Sequence, residues 1–338
     1  MKSDKNLAWQ PSATRRRLLG WGGLSLGLAA MPARALTREP LPVVATFSIL
    51  GDMVKEIGGE RVQLTTIVGP NMDAHNYEPT PNDAKALLQA KVLVLNGLDF
   101  EPWLPRLVQA SGFKGKQVLA SQGVQVRRMS SEHAHEHHAH GKSEGKPGSA
   151  KEANGARGDV DPHAWQDLSN GKIYVQNITE GLSKADPRNA AYYETRANEY
   201  LTRMKTLDTE VRAAIASIPP EKRRVISSHD AFGYFGAAYG IEFIPISGLS
   251  NEAEASARDL AAIIQAAREA DVGGIFIENM GNPALAQQVA RETGILMGGT
   301  LYADALSPPD QPAATYLGML SWNAGRLVYV LKQSTAAN

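Results

Sequence analysis

Residues 42–68 read PVVATFSILGDMVKEIGGERVQLTTIV and place a helical segment between two apolar, β-type segments. We interpret PVVATFSI as a buried strand, SILGDMVKEIGG as a helix that its two glycines end, and VQLTTIV as a second strand. This order predicts a parallel sheet with helices packed on its faces. The alternation continues in TPNDAKALLQA and KVLVLNG, where Thr80 and Pro81 are residue types that begin a helix.

A long helix interrupts the alternation. Residues 187–217 contain no proline or glycine after Pro187. Apolar residues recur there at the three- and four-residue spacing of one helix face: Tyr193, Ala197, Tyr200, Met204, Leu207 and Val211. Strand and helix signals then restart with RRVISSH. The pattern predicts two parallel-sheet α/β lobes, residues 36–165 and 221–338, joined through a helical region at 166–220 that includes one long rigid helix.

Residues 129–159 break the first lobe. They are rich in His, Gly, Lys, Glu, Ser and Ala and contain almost no large apolar residue. Because such a segment cannot bury enough apolar surface to pack, we expect a mobile insert.

The first 35 residues have the composition of an export signal. TRRRLLGWGGLSLGLAAMPARA, residues 14–35, has a basic start, a modest apolar run and the cleavage pattern Ala33-Arg34-Ala35. Residues 14–19 resemble the bacterial twin-arginine signal. A mitochondrial-type presequence or a basic tail is the alternative. The chain has no cysteine, which excludes disulfides, a thiolate metal site and a lipid-anchoring cysteine. We therefore predict a soluble periplasmic protein, cleaved near Ala35.

The charge of the remaining chain argues against a nucleic-acid partner. The formal net charge of the whole is zero, but residues 1–35 carry six Lys/Arg and one acid. The rest therefore has 29 basic and 34 acidic residues, a net of −5. Nucleic-acid binding would be expected to leave a basic patch.

Three isolated histidines stand where predicted strands give way to loops: His75, His163 and His229. Each has an aspartate one or two positions away, at residues 73, 161 and 230. A single histidine is more often structural than a ligand. Three histidines at strand ends, however, indicate a metal site, because ligands of α/β sheets bind at that edge. Neutral imidazole is a common zinc ligand, and a nearby carboxylate can orient its ring.

Four stretches carry a family resemblance: DAHNYEPTPND, DPHAWQD, SSHDAFGYFGAAYG and GTLYADAL with ATYLGMLSWN. In order and spacing, from about Pro42 to Gln333, they resemble the periplasmic zinc/manganese-binding receptors of ATP-binding-cassette importers. The resemblance implies a non-enzymatic receptor with one metal ion in the cleft between two lobes. It also implies that His75, His163, His229 and Asp304 are the ligands, although Asp304 could instead cap the final helix.

Three imidazoles and one carboxylate suit tetrahedral Zn²⁺, whereas Mn²⁺ favours more oxygen ligands and six-coordination. Relatives that handle manganese tend to have a carboxylate where this chain has His229. We therefore expect zinc as the transported ion, a membrane permease as the partner, and a monomer. Zinc affinity should fall as pH drops through the imidazole range.

The other five histidines stand together within the insert, at His133, His135, His137, His138 and His140. Such tracts bind divalent metals loosely. We expect an accessory zinc collector tethered near the main site, with a solvated spacer as the alternative.

Three other functions remain open at this point. A manganese-preferring receptor of the same family is one. A secreted zinc hydrolase is the second, but it needs an open coordination position, and the chain has neither an HExxH nor a GxSxG motif. A metal-dependent surface adhesin on the same fold is the third.

Overall fold

Residues 42–68 form the strand–helix–strand unit that their pattern predicts. The computed structural model describes residues 39–129, 160–247, 257–269 and 271–336. Strand β1 (Leu41–Phe47), helix α1 (Ser48–Gly58) and strand β2 (Val62–Val68) follow one another, and β1 pairs with β2 in parallel. Eight of the eleven residues of α1 are buried, so most of this helix packs into the core.

The first sheet is completed by two further parallel strands in the order β2-β1-β3-β4. Its other elements are α2 (Pro81–Gln89), β3 (Val92–Leu95), α3 (Leu104–Ser111) and β4 (Lys116–Leu119). The predicted start of α2 is confirmed. Thr80 and Asp83 form a reciprocal capping box, and Pro81 occupies the first turn.

Two helices separate the sheets, α4 (Leu168–Ala185) and α5 (Ala190–Ala216). The predicted long helix is confirmed, with its first residues in a separate 3₁₀ turn at Pro187–Asn189. Its 27 residues span about 40 Å at ~1.5 Å per residue. The predicted apolar face is buried except at Leu207, which is half-buried.

The second sheet repeats the architecture of the first, with parallel strands in the order β6-β5-β7-β8. Its elements are β5 (Arg224–His229), α6 (Gly233–Tyr239), β6 (Glu242–Ser247), α7 (Ala257–Glu269), β7 (Gly274–Glu278), α8 (Ala284–Thr293) and β8 (Met297–Leu301). Helix α9 (Tyr316–Ala336) ends the described chain. The fold is therefore the predicted pair of parallel α/β sheets with a long helix between them.

One apolar core runs through both sheets. It extends from β1 and α1 through α4 and α5 to α9, and it includes Phe276 of the second sheet. A smaller cluster lies between the second sheet and helices α7 and α8. The described residues from Glu39 onward accordingly form a single compact unit. Among the helices of the described ranges, none combines the length and apolar character that a bilayer crossing requires.

Candidate metal centre

Four side chains from distant parts of the chain meet in one buried cluster: His75, His163, His229 and Asp304. One donor atom of each lies within 4.8 Å of those of the other three. His75 Nε2 is 3.3 Å from His163 Nε2, and His229 Nε2 is 3.1 Å from Asp304 Oδ2. Asp304 Oδ2 lies 3.6 Å from His75 Nε2, and its Oδ1 lies 3.4 Å from His163 Nε2. Donors around one tetrahedral zinc ion are ~3.4 Å apart at bond lengths of about 2.1 Å. The cluster therefore has the size of a single metal site.

His75 lies in the loop between β2 and α2, which is held at its backbone. Trp103 Nε1 donates a hydrogen bond to the carbonyl oxygen of Ala74 at 2.7 Å. The backbone N–H of His75 donates to Asp73 Oδ1, also at 2.7 Å. These two contacts fix the main chain on the amino side of His75.

His163 precedes the short turn Ala164–Gln166 that leads into α4, and its ring is oriented by Asp161. Asp161 Oδ1 accepts the backbone N–H of His163 at 3.0 Å and lies 2.8 Å from its Nδ1. With Nδ1 held in this way, Nε2 faces the cluster. The amide of Asn96 donates to the carbonyl oxygen of Pro162 at 3.0 Å, so the end of β3 supports the same loop.

A buried carboxyl group, Glu101, organises that end of β3. Thr46 Oγ1 and the backbone N–H of Asn96 both donate to Glu101 Oε1 at 2.7 Å. Burial raises the pKa of Glu101 to about 7. Because Asn96 in turn contacts Pro162, Glu101 supports His163 indirectly.

The second sheet supplies the other two members of the cluster. His229 is the last residue of β5, and Asp304 lies in the loop after β8. Trp165 Nε1 donates to the carbonyl oxygen of Ala303 at 2.9 Å, which holds the Asp304 loop. Glu278, the last residue of β7, places Oε2 2.6 Å from His229 Nδ1, and its Oε1 accepts the backbone N–H of His229 at 3.1 Å.

The cluster is shielded from water. His163 and His229 are fully buried, Asp304 is 1% exposed and His75 is 6% exposed. The ring of Phe100 stands edge-on to His75, with centroids 4.4 Å apart. Charges in such surroundings interact more strongly than they do in water.

The electrostatics of the cluster favour a positive charge at its centre. Burial raises the pKa of Asp304, but the facing rings of His163 and His229 outweigh that effect and hold its pKa below the usual range. Burial lowers the pKa of both histidines. Asp304 and Asp161 outweigh that effect at His163. Glu278 and Asp304 outweigh it at His229, so both pKa values lie above the usual imidazole value. A proton or a metal ion can supply this charge.

The donor chemistry fits a divalent metal. Asp304 Oδ1 is buried and accepts no hydrogen bond among the described residues. A carboxylate oxygen left in this state is costly unless a cation binds it. Neutral imidazole nitrogens and a carboxylate oxygen are the ligands that zinc and related metals take in proteins.

The structure brings together all four residues that the family resemblance implied. The alternative role of Asp304 as the cap of the final helix is wrong. That helix begins at Tyr316, twelve residues after Asp304, and Thr315 Oγ1 accepts the backbone N–H of Gly318 in its first turn. The histidine run at 133–140 and the predicted export signal at 1–35 lie outside the described residues.

The predicted pairing of each histidine with a nearby aspartate is confirmed in part. Asp161 lies at the ring of His163 as expected, whereas Asp73 accepts the backbone N–H of His75. At the ring of His229 the structure places Glu278, which sequence reasoning did not name. The available signal was that Glu278 directly follows the apolar run Ile275–Ile277, because the carboxyl ends of parallel strands lie at one edge of a sheet.

Comparison with known proteins places the chain in a family. Residues 43–330 match the family model described as "Zinc-uptake complex component A periplasmic" (ZnuA). The chain is 31% identical over 312 residues to the metal ABC transporter substrate-binding lipoprotein SloC of Streptococcus mutans, covering 91% of this chain and 95% of that protein.

Two solved structures extend the comparison. The periplasmic zinc binding protein TroA from Treponema pallidum has a TM-score of 0.74 and 28% identity, covering 87% of this chain and 99% of that one. A Mn-bound periplasmic metal binding protein from Candidatus Liberibacter asiaticus has a TM-score of 0.71 and 29% identity, covering 86% and 98%. The chain thus belongs to the ZnuA family of periplasmic metal-binding receptors of ABC importers, whose members are substrate-binding proteins and not enzymes.

Proposed function

We propose that this receptor captures Zn²⁺ with His75, His163, His229 and Asp304 as its ligands. The observation that carries the proposal is the buried cluster itself, in which four donor atoms lie within 4.8 Å of one another. Four protein donors leave no open position for a reactive water, which suits tight capture.

The choice of zinc over manganese rests on the donor set. Three of the four donors are imidazole nitrogens, and zinc accepts four-coordination with such ligands. Manganese favours oxygen donors and six-coordination. A manganese-preferring receptor is the second candidate, because the similar protein from Candidatus Liberibacter asiaticus has a Mn-bound structure.

The captured ion is delivered, in this proposal, to the permease of an ATP-binding-cassette importer. The chain works as a soluble periplasmic monomer after residues 1–35 direct its export and are removed. The absence of cysteine supports a soluble form, because lipid attachment would need that residue. The two lobes are residues 36–165 and 221–338, with 166–220 joining them.

The insert at about 129–159 acts, in the same proposal, as an accessory zinc collector. Its five histidines offer imidazole ligands, and the sequence places no aspartate among them. Tethering raises the concentration of zinc near the main site. Deletion of residues 131–145 should leave one tight zinc equivalent in calorimetry and remove only weak binding. Loss of the tight equivalent would contradict the accessory role.

Native mass spectrometry of the metal-free protein, incubated with equal Zn²⁺ and Mn²⁺ and then desalted, tests the main proposal. The expected result is one retained zinc ion, which the His229→Ala variant loses. His138→Ala is the matched control, because it removes a histidine from the run and should keep the tight ion. Retention of manganese would favour the second candidate. Full zinc affinity in His229→Ala would contradict the ligand assignment.

A further inference from the structure

The last residue of β7 and the residue after it contact three of the four segments that carry the proposed ligands. Glu278 is 3% exposed and holds His229 at two points, the backbone N–H through Oε1 at 3.1 Å and ring Nδ1 at 2.6 Å from Oε2. A carboxylate at Nδ1 favours the tautomer with its proton on Nδ1. The Nε2 lone pair is then free to face the cluster, and the ring is a stronger base.

Asn279 reaches the other two segments. Its Nδ2 donates to Asn71 Oδ1 at 2.8 Å and to the carbonyl oxygen of Ala305 at 3.3 Å. Asn71 is four residues before His75 in the same loop, and Ala305 follows Asp304 directly. The side chain of Asn279 therefore joins a loop of the first sheet to a loop of the second beside the metal centre.

A backbone contact reinforces this junction. The N–H of Asn71 donates to the carbonyl oxygen of Leu306 at 3.0 Å, and Asn71 adopts a left-handed φ of 54°. Asparagine tolerates this conformation better than most residues do. In this conformation the backbone N–H of Asn71 donates to Leu306, and its side-chain oxygen accepts the hydrogen bond from Asn279.

We propose that Glu278 and Asn279 are positioning residues for metal binding: Glu278 orients His229 and so sets affinity, and Asn279 joins the His75 and Asp304 loops and so sets the rate of metal release. The inference rests on the proposed function, because it needs His75, His229 and Asp304 to bind the ion. Movement of the His75 loop away from the metal must break the contacts at Asn279, so these contacts oppose dissociation.

Glu278→Gln tests the first half. Glutamine can still accept the backbone N–H of His229, but it cannot offer a second carboxylate oxygen to Nδ1. Zinc affinity should fall by about 10- to 100-fold, the usual effect of removing a partner of a ligating histidine. Glu242→Gln is the matched control, since it makes the same change on β6 at a side chain that is 58% exposed.

Cobalt(II) absorption separates positioning from a purely structural role. The wild-type protein and Glu242→Gln should show the visible bands of tetrahedral Co²⁺ at the same positions, and Glu278→Gln should shift them. Band positions report the ligand geometry of the folded fraction, so a loss of stability alone does not move them. Unchanged affinity and an unchanged spectrum in Glu278→Gln would overturn the role of Glu278.

Asn279→Ala tests the second half. Zinc transfer to a chromogenic chelator, followed by stopped flow, should be at least several-fold faster than in wild type, with little change in the association rate. Asn198→Ala, on an exposed face of α5, is the control. An unchanged transfer rate would overturn the role of Asn279. Absence of tight zinc in the wild-type protein would instead contradict the proposed function, so the two failures are distinguishable.

Discussion

Replacement of Asp52 by asparagine is expected to stabilise the metal-free protein at pH 8 and to have little effect near pH 4. Asp52 lies on α1, and its Oδ2 accepts the backbone N–H of Tyr316 at 2.8 Å, at the start of α9. Burial raises the pKa of Asp52 from 3.8 to about 6; the Tyr316 N–H opposes this rise, and the charge of Glu56 adds to it. The ionised form therefore destabilises the folded state.

The sign and size of the effect follow from this pKa. The folded-state pKa lies above that of the unfolded chain, so the stability that Asp52 contributes is present below pH ~4 and is lost as pH rises through 6. A rise of about two pKa units corresponds to about 3 kcal/mol at pH 8. This value is already net of the favourable contact with the Tyr316 N–H, which lowers the pKa. Asparagine keeps the acceptor for Tyr316, so a gain of about 3 kcal/mol is expected, or roughly 5 °C in Tm.

The assay is thermal and urea unfolding of the metal-free protein, with chelator present, from pH 4 to pH 8. The stability difference between Asp52→Asn and wild type should grow across the range and level off above pH 7. Glu60→Gln is the control, because that side chain is 74% exposed and its removal should produce no such trend. An Asp52→Asn variant that is less stable than wild type at pH 8, or a difference independent of pH, would refute the reasoning.

Three further predictions concern the metal centre. The pKa values of His163 and His229 are raised, so zinc must displace protons and zinc affinity should be lower at pH 6 than at pH 8. Calorimetry in buffers of different ionisation enthalpy should show that zinc binding releases protons. Equal zinc affinity at the two pH values would contradict this prediction. Gly233→Ala places a Cβ 2.7 Å from Asp161 Oδ2 and should displace the carboxylate that orients His163. Competition titration should therefore show roughly tenfold weaker zinc binding, although alanine is a better helix residue than glycine. Zinc affinity equal to that of the wild type would mean that Asp161 can move freely. Protein at a free zinc concentration of 100 Kd should have a free energy of unfolding about 2.7 kcal/mol higher than protein from which a chelator has removed the zinc. A Tm that does not depend on zinc would exclude a site specific to the folded state.

Elements with strong periodicity could be predicted, and marginal ones could not. The apolar face of α5 identified that helix because nothing interrupts it for 27 residues. Helix α3 and strand β4 were not predicted. The four residues of β4 have only one buried member, Val118, so neither alternation nor an apolar run marks the strand. Its conformation comes from pairing with β3, a contact distant in sequence.

The same distinction holds for the metal centre. His163 and its partner Asp161 are two residues apart, so the pair is visible in the sequence. Glu278 is 49 residues from His229, and they meet because β5 and β7 are neighbours in the second sheet. Strand order within a sheet does not follow from local composition. The four residues of the cluster could therefore be named from motifs, whereas the partner of His229 required the topology.

The continuity of the core limits how the ion can leave. The four proposed ligands are divided evenly, with His75 and His163 next to the first sheet and His229 and Asp304 next to the second. Separating the sheets by a wide hinge would expose apolar surface that both share, at about 25 cal/mol per Å². His75 is the most exposed of the four proposed ligands, at 6%, and it lies in a loop held by hydrogen bonds from Trp103 and Asn279. Release therefore requires breaking a few hydrogen bonds around this loop, at roughly 1 kcal/mol each, whereas hinge opening would disrupt the core. A permease that binds the His75 loop would gain access to the ion without disrupting either sheet.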